Sequence, residues 1–201
     1  MKVERLTSAE HVRERERAAA LAALTCHANT NREFVPADVL GRIIKARHES
    51  ILEHITLTYS IKGISRALLQ ELARHRHISL SVESTRHTLR KYLNGEGGIM
   101  RLYAQIPAKY HVALQDFLYT AKGSSELSND ELKYYLPEFW PVNLVLTSNI
   151  RELRHILDLR TAPAALKEFR DLARAMYEAV PEEFKYLLKD CVHDEADNDT
   201  N

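Results

Sequence analysis

HITLTYSIKGISRALLQELARHRHISLSV, residues 54–82, contains the change of hydrophobic period on which the fold turns. Ile55, Leu57, Tyr59 and Ile61 alternate with Thr56, Thr58, Ser60 and Lys62. A period of two sends alternate side chains to opposite faces of an extended chain, which predicts a half-buried strand. Gly63 is expected to end it. Ser65 then suits a helix N-cap, and SRALLQELARHR turns Leu68, Leu69 and Leu72 inward at helical spacing. Ile78, Leu80 and Val82 return to period two, as a second strand or extended segment.

Towards the N-terminus, residues 2–6 are expected as a short strand. Thr7 with Glu10 reads as a capping box opening a helix to about Leu24. Asn29–Phe34 is polar and reads as a loop. Pro36 suits the first turn of a helix with Val39, Leu40, Ile43 and Ile44 on one face. Towards the C-terminus, residues 92–104 read as a loop, followed by a helix from about Pro107 to Lys122. Ser128 and Glu131 match a second capping box, opening a short helix before Pro137. NIRELRHILDLR is a helix started by Ser148 or Asn149, and Pro163 and Pro181 open two more. The expectation is α+β: a mainly helical single domain over 1–191 with a small antiparallel sheet, and an acidic, disordered tail over 192–201.

Composition narrows the function. The chain has 201 residues, 45% hydrophobic and 28% charged, which suits a globular protein with a core of its own. Its 28 basic and 28 acidic side chains cancel, which argues against bulk nucleic-acid binding. Two cysteines outside any CxxC pair, a charged N-terminal segment and no membrane-length apolar run point to a cytoplasmic protein.

The densest chemistry is RHRHISLSVESTRHTLRK, residues 74–91. It sets Arg74, His75, Arg76, His77, Arg86, His87, Arg90 and Lys91 against one acid, Glu83. Guanidinium forks match phosphate oxygens two at a time, and Ser79, Ser84 and Thr85 add short-reach donors. A blander account also holds: Arg74 and Arg76 in the last turn of a helix would simply complement its dipole.

The order of these residues, RHRxxSxxxxSxR from Arg74 to Arg86, resembles the signature of the flavin-dependent thymidylate synthases, usually written RHRxxSxNxxSxR. HESILEH with the strand after it, and LPEFWPVNLVLTSNIRELRHILDLR, resemble the family's flanking blocks. The likeness runs from about His48 to His193. It implies an enzyme that makes dTMP from dUMP, with methylenetetrahydrofolate as carbon donor, NADPH as reductant and FAD as cofactor. It implies a homotetramer with active sites at subunit interfaces, and no side chain bonded covalently to the pyrimidine.

By matching position, the resemblance assigns Arg74, His75 and Arg76 to FAD, with Arg74 also near dUMP. His48 and Ser50 match flavin-contacting positions, as do Asn149, Arg151 and His155. Ser84 and Arg86 would hold the dUMP phosphate, sharing a face if the segment is extended. Arg160 would be catalytic, contacting the uracil and helping to ionise N3, because a fixed cation stabilises a developing anion. Lys133 stands where many members carry a dUMP-contacting arginine, and Glu71 where many carry glutamine. Ser81 replaces the motif asparagine, and His155 stands where asparagine is common. Val82 replaces an often acidic residue, and His87 a common tyrosine. These departures bear on base recognition rather than on the anion-binding residues.

Three other readings compete. One is a nucleic-acid-binding module built on the basic segment. A second is a metal enzyme using His75-x-His77, which lacks a third ligand at firm spacing, so no metal is expected. The third is a flavoprotein of this kind that no longer methylates dUMP. A serine hydrolase finds no GxSxG turn.

Overall fold

The computed structural model of the chain describes residues 1–30, 33–123 and 126–194. Four strands, β1 (Lys2–Arg5), β2 (Thr56–Ser65), β3 (Ile78–Val82) and β4 (Pro141–Asn149), form one sheet in the order β1-β2-β4-β3. Thr58 meets Thr147 and Gly63 meets Asn143, so β2 and β4 run antiparallel. The helices are α1 (Ala9–Thr25), α2 (Pro36–Lys45), α3 (Arg66–Leu72), α4 (Thr85–Asn94), α5 (Gly98–Gln105), α6 (His111–Gly123), α7 (Asn129–Leu132), α8 (Ile150–Arg160) and α9 (Lys167–Glu178). No helix among the described residues is long and apolar enough to cross a membrane.

The chain divides into two compact units, one of residues 1–2, 61–74 and 81–144, the other of 3–60, 75–80 and from 145 onward. In the first, Trp140 is buried, with Phe117 and Tyr92 edge-on to its ring at 5.3 and 6.0 Å. Ile61, Ile64, Leu68, Leu89 and Leu102 complete that core. In the second, Ile55 just before β2 and Leu57 and Tyr59 within it are fully buried, as are Leu153 and Leu157 of α8 and Phe169, Leu172 and Met176 of α9. The alternation in β2 is therefore the core-facing pattern its sequence predicts.

Several boundaries differ from the sequence reading, each for a physical reason. β2 does not end at Gly63. Its buried positions step from Ile61 to Ile64, three apart, across a Gly63 held at φ +73 whose N–H donates to Asn143 Oδ1 at 3.1 Å. The slip of one residue at a left-handed glycine is the signature of a β-bulge. A Cβ there would meet nothing closer than the Met1 backbone at 3.9 Å, so the demand for glycine is conformational. Gly63→Ala should therefore cost about 1–2 kcal/mol, read as a lower urea midpoint. An unchanged midpoint would mean that the backbone is not held at positive φ.

The N-cap of α1 is Ser8, which accepts from His11 N, rather than Thr7. The Thr7 hydroxyl is occupied by the Thr58 N–H at 2.8 Å. α3 stops at Leu72, so Arg74 and Arg76 lie beyond its end and not in its last turn. Residues 92–104 form a helical hairpin: α4 buries Thr85, Leu89 and Leu93, four apart on one face, and α5 follows. A Cβ on Gly98 would collide with the Tyr92 carbonyl oxygen, so the glycines here permit a tight turn between helices. α9 begins at Lys167, four residues after Pro163. The helix expected from Pro181 is a pair of 3-10 turns, Glu182–Leu187 and Lys189–Cys191. β4 has no counterpart in the sequence reading.

Other expectations hold. Ser65 caps α3, Ser128 and Glu131 make a complete capping box on α7, and Asn149 caps α8. Of the expected tail, His193 donates its N–H to Thr161 Oγ1 and its Nε2–H to the Asp158 carbonyl, both at 2.9 Å. Residues 195–201 lie outside the described residues.

Candidate active site

α8 presents two faces. Ile150, Leu153, Ile156 and Leu157 are buried at helical spacing, while Arg151 and His155, four apart, share the exposed side. Two polar side chains are buried against this pattern, Glu152 and Arg154. Both are paired, as buried charges must be.

Glu152 meets His75. His75 Nδ1 lies 3.1 Å from Glu152 Oε1, and both side chains are nearly inaccessible. On the opposite ring nitrogen, Arg160 Nε donates to His75 Nε2 at 3.1 Å. A guanidinium has no acceptor, so Nε2 must be bare and the imidazole proton must sit on Nδ1, donating to Glu152. Burial, the largest influence, holds His75 below its ordinary pKa; the Glu152 hydrogen bond opposes this and the Arg160 charge reinforces it. The imidazole is thus neutral at pH 7. Arg160 also lies over the Phe169 ring at 4.6 Å, and the ring edges of His155 and Phe169 face His75 at 5.7 and 5.8 Å.

Beside this cluster is a cleft of about 500 Å³ lined by Glu49, Glu53, His77, Asn149, Arg151, Glu152 and His155. That volume suits a small-molecule site. Arg151 is bonded to Glu53 at 2.6 Å, with both side chains about half exposed. His48, Ser50 and Arg76 are exposed in the same unit but do not line this cleft. His75, Glu152 and His155 bring ligand atoms within 4.8 Å of one another. Both His75 nitrogens are engaged, however, and a cation would have to compete with the Arg160 guanidinium.

The remaining expected residues lie in the other unit. Arg74 is exposed, with its guanidinium 4.0 Å from Glu71. Ser84 is exposed at the N-cap of α4 without a capping bond from its own side chain. Arg86 pairs with Asp130 at 2.7 Å, and Asn129 Nδ2 donates to the Arg86 carbonyl at 2.6 Å. Lys133 is exposed just after α7. The expectation that Ser84 and Arg86 share the face of an extended segment is corrected, because α4 starts at Thr85. What replaces it is a helix N-terminus, where the dipole itself favours an anion.

Glu49, Glu53 and Glu152 were not among the expected residues, and His77 was weighed only within the basic segment and as a metal partner of His75. Glu152 carried a readable signal: it sits three residues after the Asn149 cap, whose Oδ1 accepts its N–H at 2.8 Å. The other three become neighbours only through the fold.

Residues 7–184 match the family described as thymidylate synthase complementing protein. The flavin-dependent thymidylate synthase of Campylobacter jejuni strain RM1221 is 38% identical over 180 residues, 84% of each chain. That of Wolinella succinogenes is 41% identical over 163 residues, 76% of this chain and 78% of the relative. A crystal structure of thymidylate synthase X from Helicobacter pylori with FAD and dUMP superimposes with a TM-score of 0.82 at 32% identity, covering 96% of this chain and all of that one. A match across most of the length, in sequence and in fold, means that this chain belongs to the flavin-dependent thymidylate synthase family.

Proposed function

We propose that this protein converts dUMP to dTMP, taking the carbon from methylenetetrahydrofolate and reducing equivalents from NADPH through FAD. One observation carries the reading. His75 and Arg160, assigned to one site from separate sequence blocks, are joined by a hydrogen bond of 3.1 Å. The H. pylori protein that shares this fold holds FAD and dUMP, the two ligands the assigned residues would bind.

The cleft beside His75 supports a flavin site, with Glu49, Glu53 and Glu152 as the acids in its lining. Arg151, His77 and His155 supply donors around a space of about 500 Å³, and Asn149 adds an amide at the start of α8. When bound, FAD would supply the hydride chemistry; the protein supplies binding, orientation and field. Arg74, His75, Arg76, Asn149, Arg151 and His155 would hold it, with His48 and Ser50 at its margin. His75 has both nitrogens occupied, so it would meet the flavin through its ring or backbone. Arg74, Ser84, Arg86, Lys133 and Glu71 would hold dUMP, with the phosphate at the N-terminus of α4. Arg160 would stabilise the uracil as N3 ionises. Assembly as a homotetramer, with sites completed between subunits, belongs to the same reading.

The test is turnover. Tritium at C5 of dUMP should be released to water, and dTMP should form, only when FAD, NADPH and methylenetetrahydrofolate are all present. Release without dTMP, or neither, would overturn the assignment. Ser84→Ala removes a hydroxyl from the phosphate site and should raise the dUMP Kd roughly 5- to 30-fold, about 1–2 kcal/mol, with FAD affinity unchanged. A dUMP affinity equal to wild type by calorimetry would remove Ser84 from that site.

A further inference from the structure

The chain offers an internal comparison. It has two glutamates at the third position of a capped helix, Glu131 on α7 and Glu152 on α8. Glu131 does what this position ordinarily does and returns to its own cap, accepting from Ser128 N at 2.8 Å. Glu152 turns instead to the His75 ring. Burying a carboxylate there is costly unless it is paired and hydrogen-bonded, and the His75 ring is the partner it finds. His75 in turn accepts from Arg160, the residue to which the proposed function gives the developing uracil anion.

From this we propose that Glu152 is the positioning residue of Arg160: by accepting the Nδ1 proton of His75 it keeps Nε2 an acceptor, and that acceptor fixes Arg160 through its Nε. The role of Arg160 rests on the function proposed above; the tautomer does not. Without Glu152 the imidazole is free to carry its proton on Nε2. Two N–H groups would then oppose each other across 3.1 Å, and the guanidinium would have to move. The Phe169 ring, 4.6 Å from Arg160 Cζ, bounds one side of the guanidinium, while the Nε bond ties it to the His75 ring. A displacement of about 1 Å at a reacting group lowers turnover by up to about 100-fold.

Two measurements on the FAD-loaded protein test this. The first is the nitrogen-15 NMR spectrum of the histidine side chains, with the His75 signal identified by its absence in His75→Gln. Wild type should show Nδ1 protonated and Nε2 bare. Glu152→Gln, whose amide oxygen still accepts, should keep that state, and Glu152→Ala should lose it. The second is kinetic. Glu152→Ala should lower kcat roughly 10- to 100-fold with little change in the KM for dUMP, and Glu152→Gln should restore most of it. Added to Arg160→Ala, Glu152→Ala should cost nothing more.

A wild-type proton on Nε2 overturns the proposal, as does a Glu152→Ala loss that persists undiminished in the Arg160→Ala background. If Glu152→Ala does not fold, the wild-type tautomer and Glu152→Gln decide. Because the tautomer is read without turnover, a correct tautomer in a protein that makes no dTMP would fault the function and not the relay. The wrong tautomer in an active enzyme would do the reverse.

Discussion

Arg160→Ala should lower kcat for dTMP formation by roughly 100- to 1,000-fold, the usual cost of losing one preorganised charge at a developing anion. FAD content should fall far less. The guanidinium is held before any substrate arrives, by the His75 hydrogen bond at 3.1 Å and the Phe169 ring at 4.6 Å. A charge already in place needs no reorganisation during the reaction. Some stability should be lost too, because His75 Nε2 is left as an acceptor without its donor, at about 1–3 kcal/mol. Arg160→Lys keeps the charge without Nε and should fall between the two. Single-turnover kinetics with flavin content measured alongside would check this. Equal losses of flavin and turnover would mean that Arg160 holds the cofactor rather than acting on the base.

Arg154→Met should be the most destabilising of the single changes considered, at about 3 kcal/mol or more. Arg154 is 2% exposed and bonds Asp190 through two parallel contacts of 2.7 Å. It also meets Glu49 Oε1 at 3.2 Å and the Leu187 carbonyl at 2.6 Å. Removing it takes the donor from two carboxylates and a carbonyl, although Glu49 keeps Arg47 at 3.7 Å and Asp190, 42% exposed, can still reach water. Urea denaturation would measure the change, and a loss below about 1 kcal/mol would contradict it. The pair also sets a pH dependence. The Arg154 hydrogen bond holds Asp190 below its ordinary pKa. Its folded pKa lies under its unfolded one, so its contribution is present above the usual carboxylate range, near pH 4, and fades as pH falls through the folded value. Acid sensitivity below about pH 4 should therefore be weaker in Arg154→Met.

Much of this was written in local pattern. Ile55, Leu57, Tyr59 and Ile61 specify a strand because a period of two has one structural meaning. Ser65, Ser128 and Asn149 announce helix starts because a cap is a contact within three residues. β4 was equally legible in the alternation of Val142, Leu144 and Leu146, to which no element was assigned from the sequence. Thr85, Leu89 and Leu93 carry a helical face that the nearby glycines obscured. Thr7 shows the limit of local reading: its hydroxyl could cap α1, and the decision went to Thr58, 51 residues away. The site divides in the same way. The ordered motif named His75 and a separate flanking block named Arg160, 85 residues further along the chain. Glu152 stayed hidden because a cap motif does not say which way its third residue turns.

The most direct test of the central claim is the visible spectrum of the purified protein, reconstituted with FAD, before and after dUMP is added. The account predicts a flavin spectrum that shifts on titration with dUMP and saturates at one dUMP per flavin. A flavin spectrum blind to dUMP would describe a flavoprotein that does not use this substrate. A protein that takes up no FAD would contradict the account at its root, and leave the basic segment from Arg74 to Lys91 as the site of some other anion.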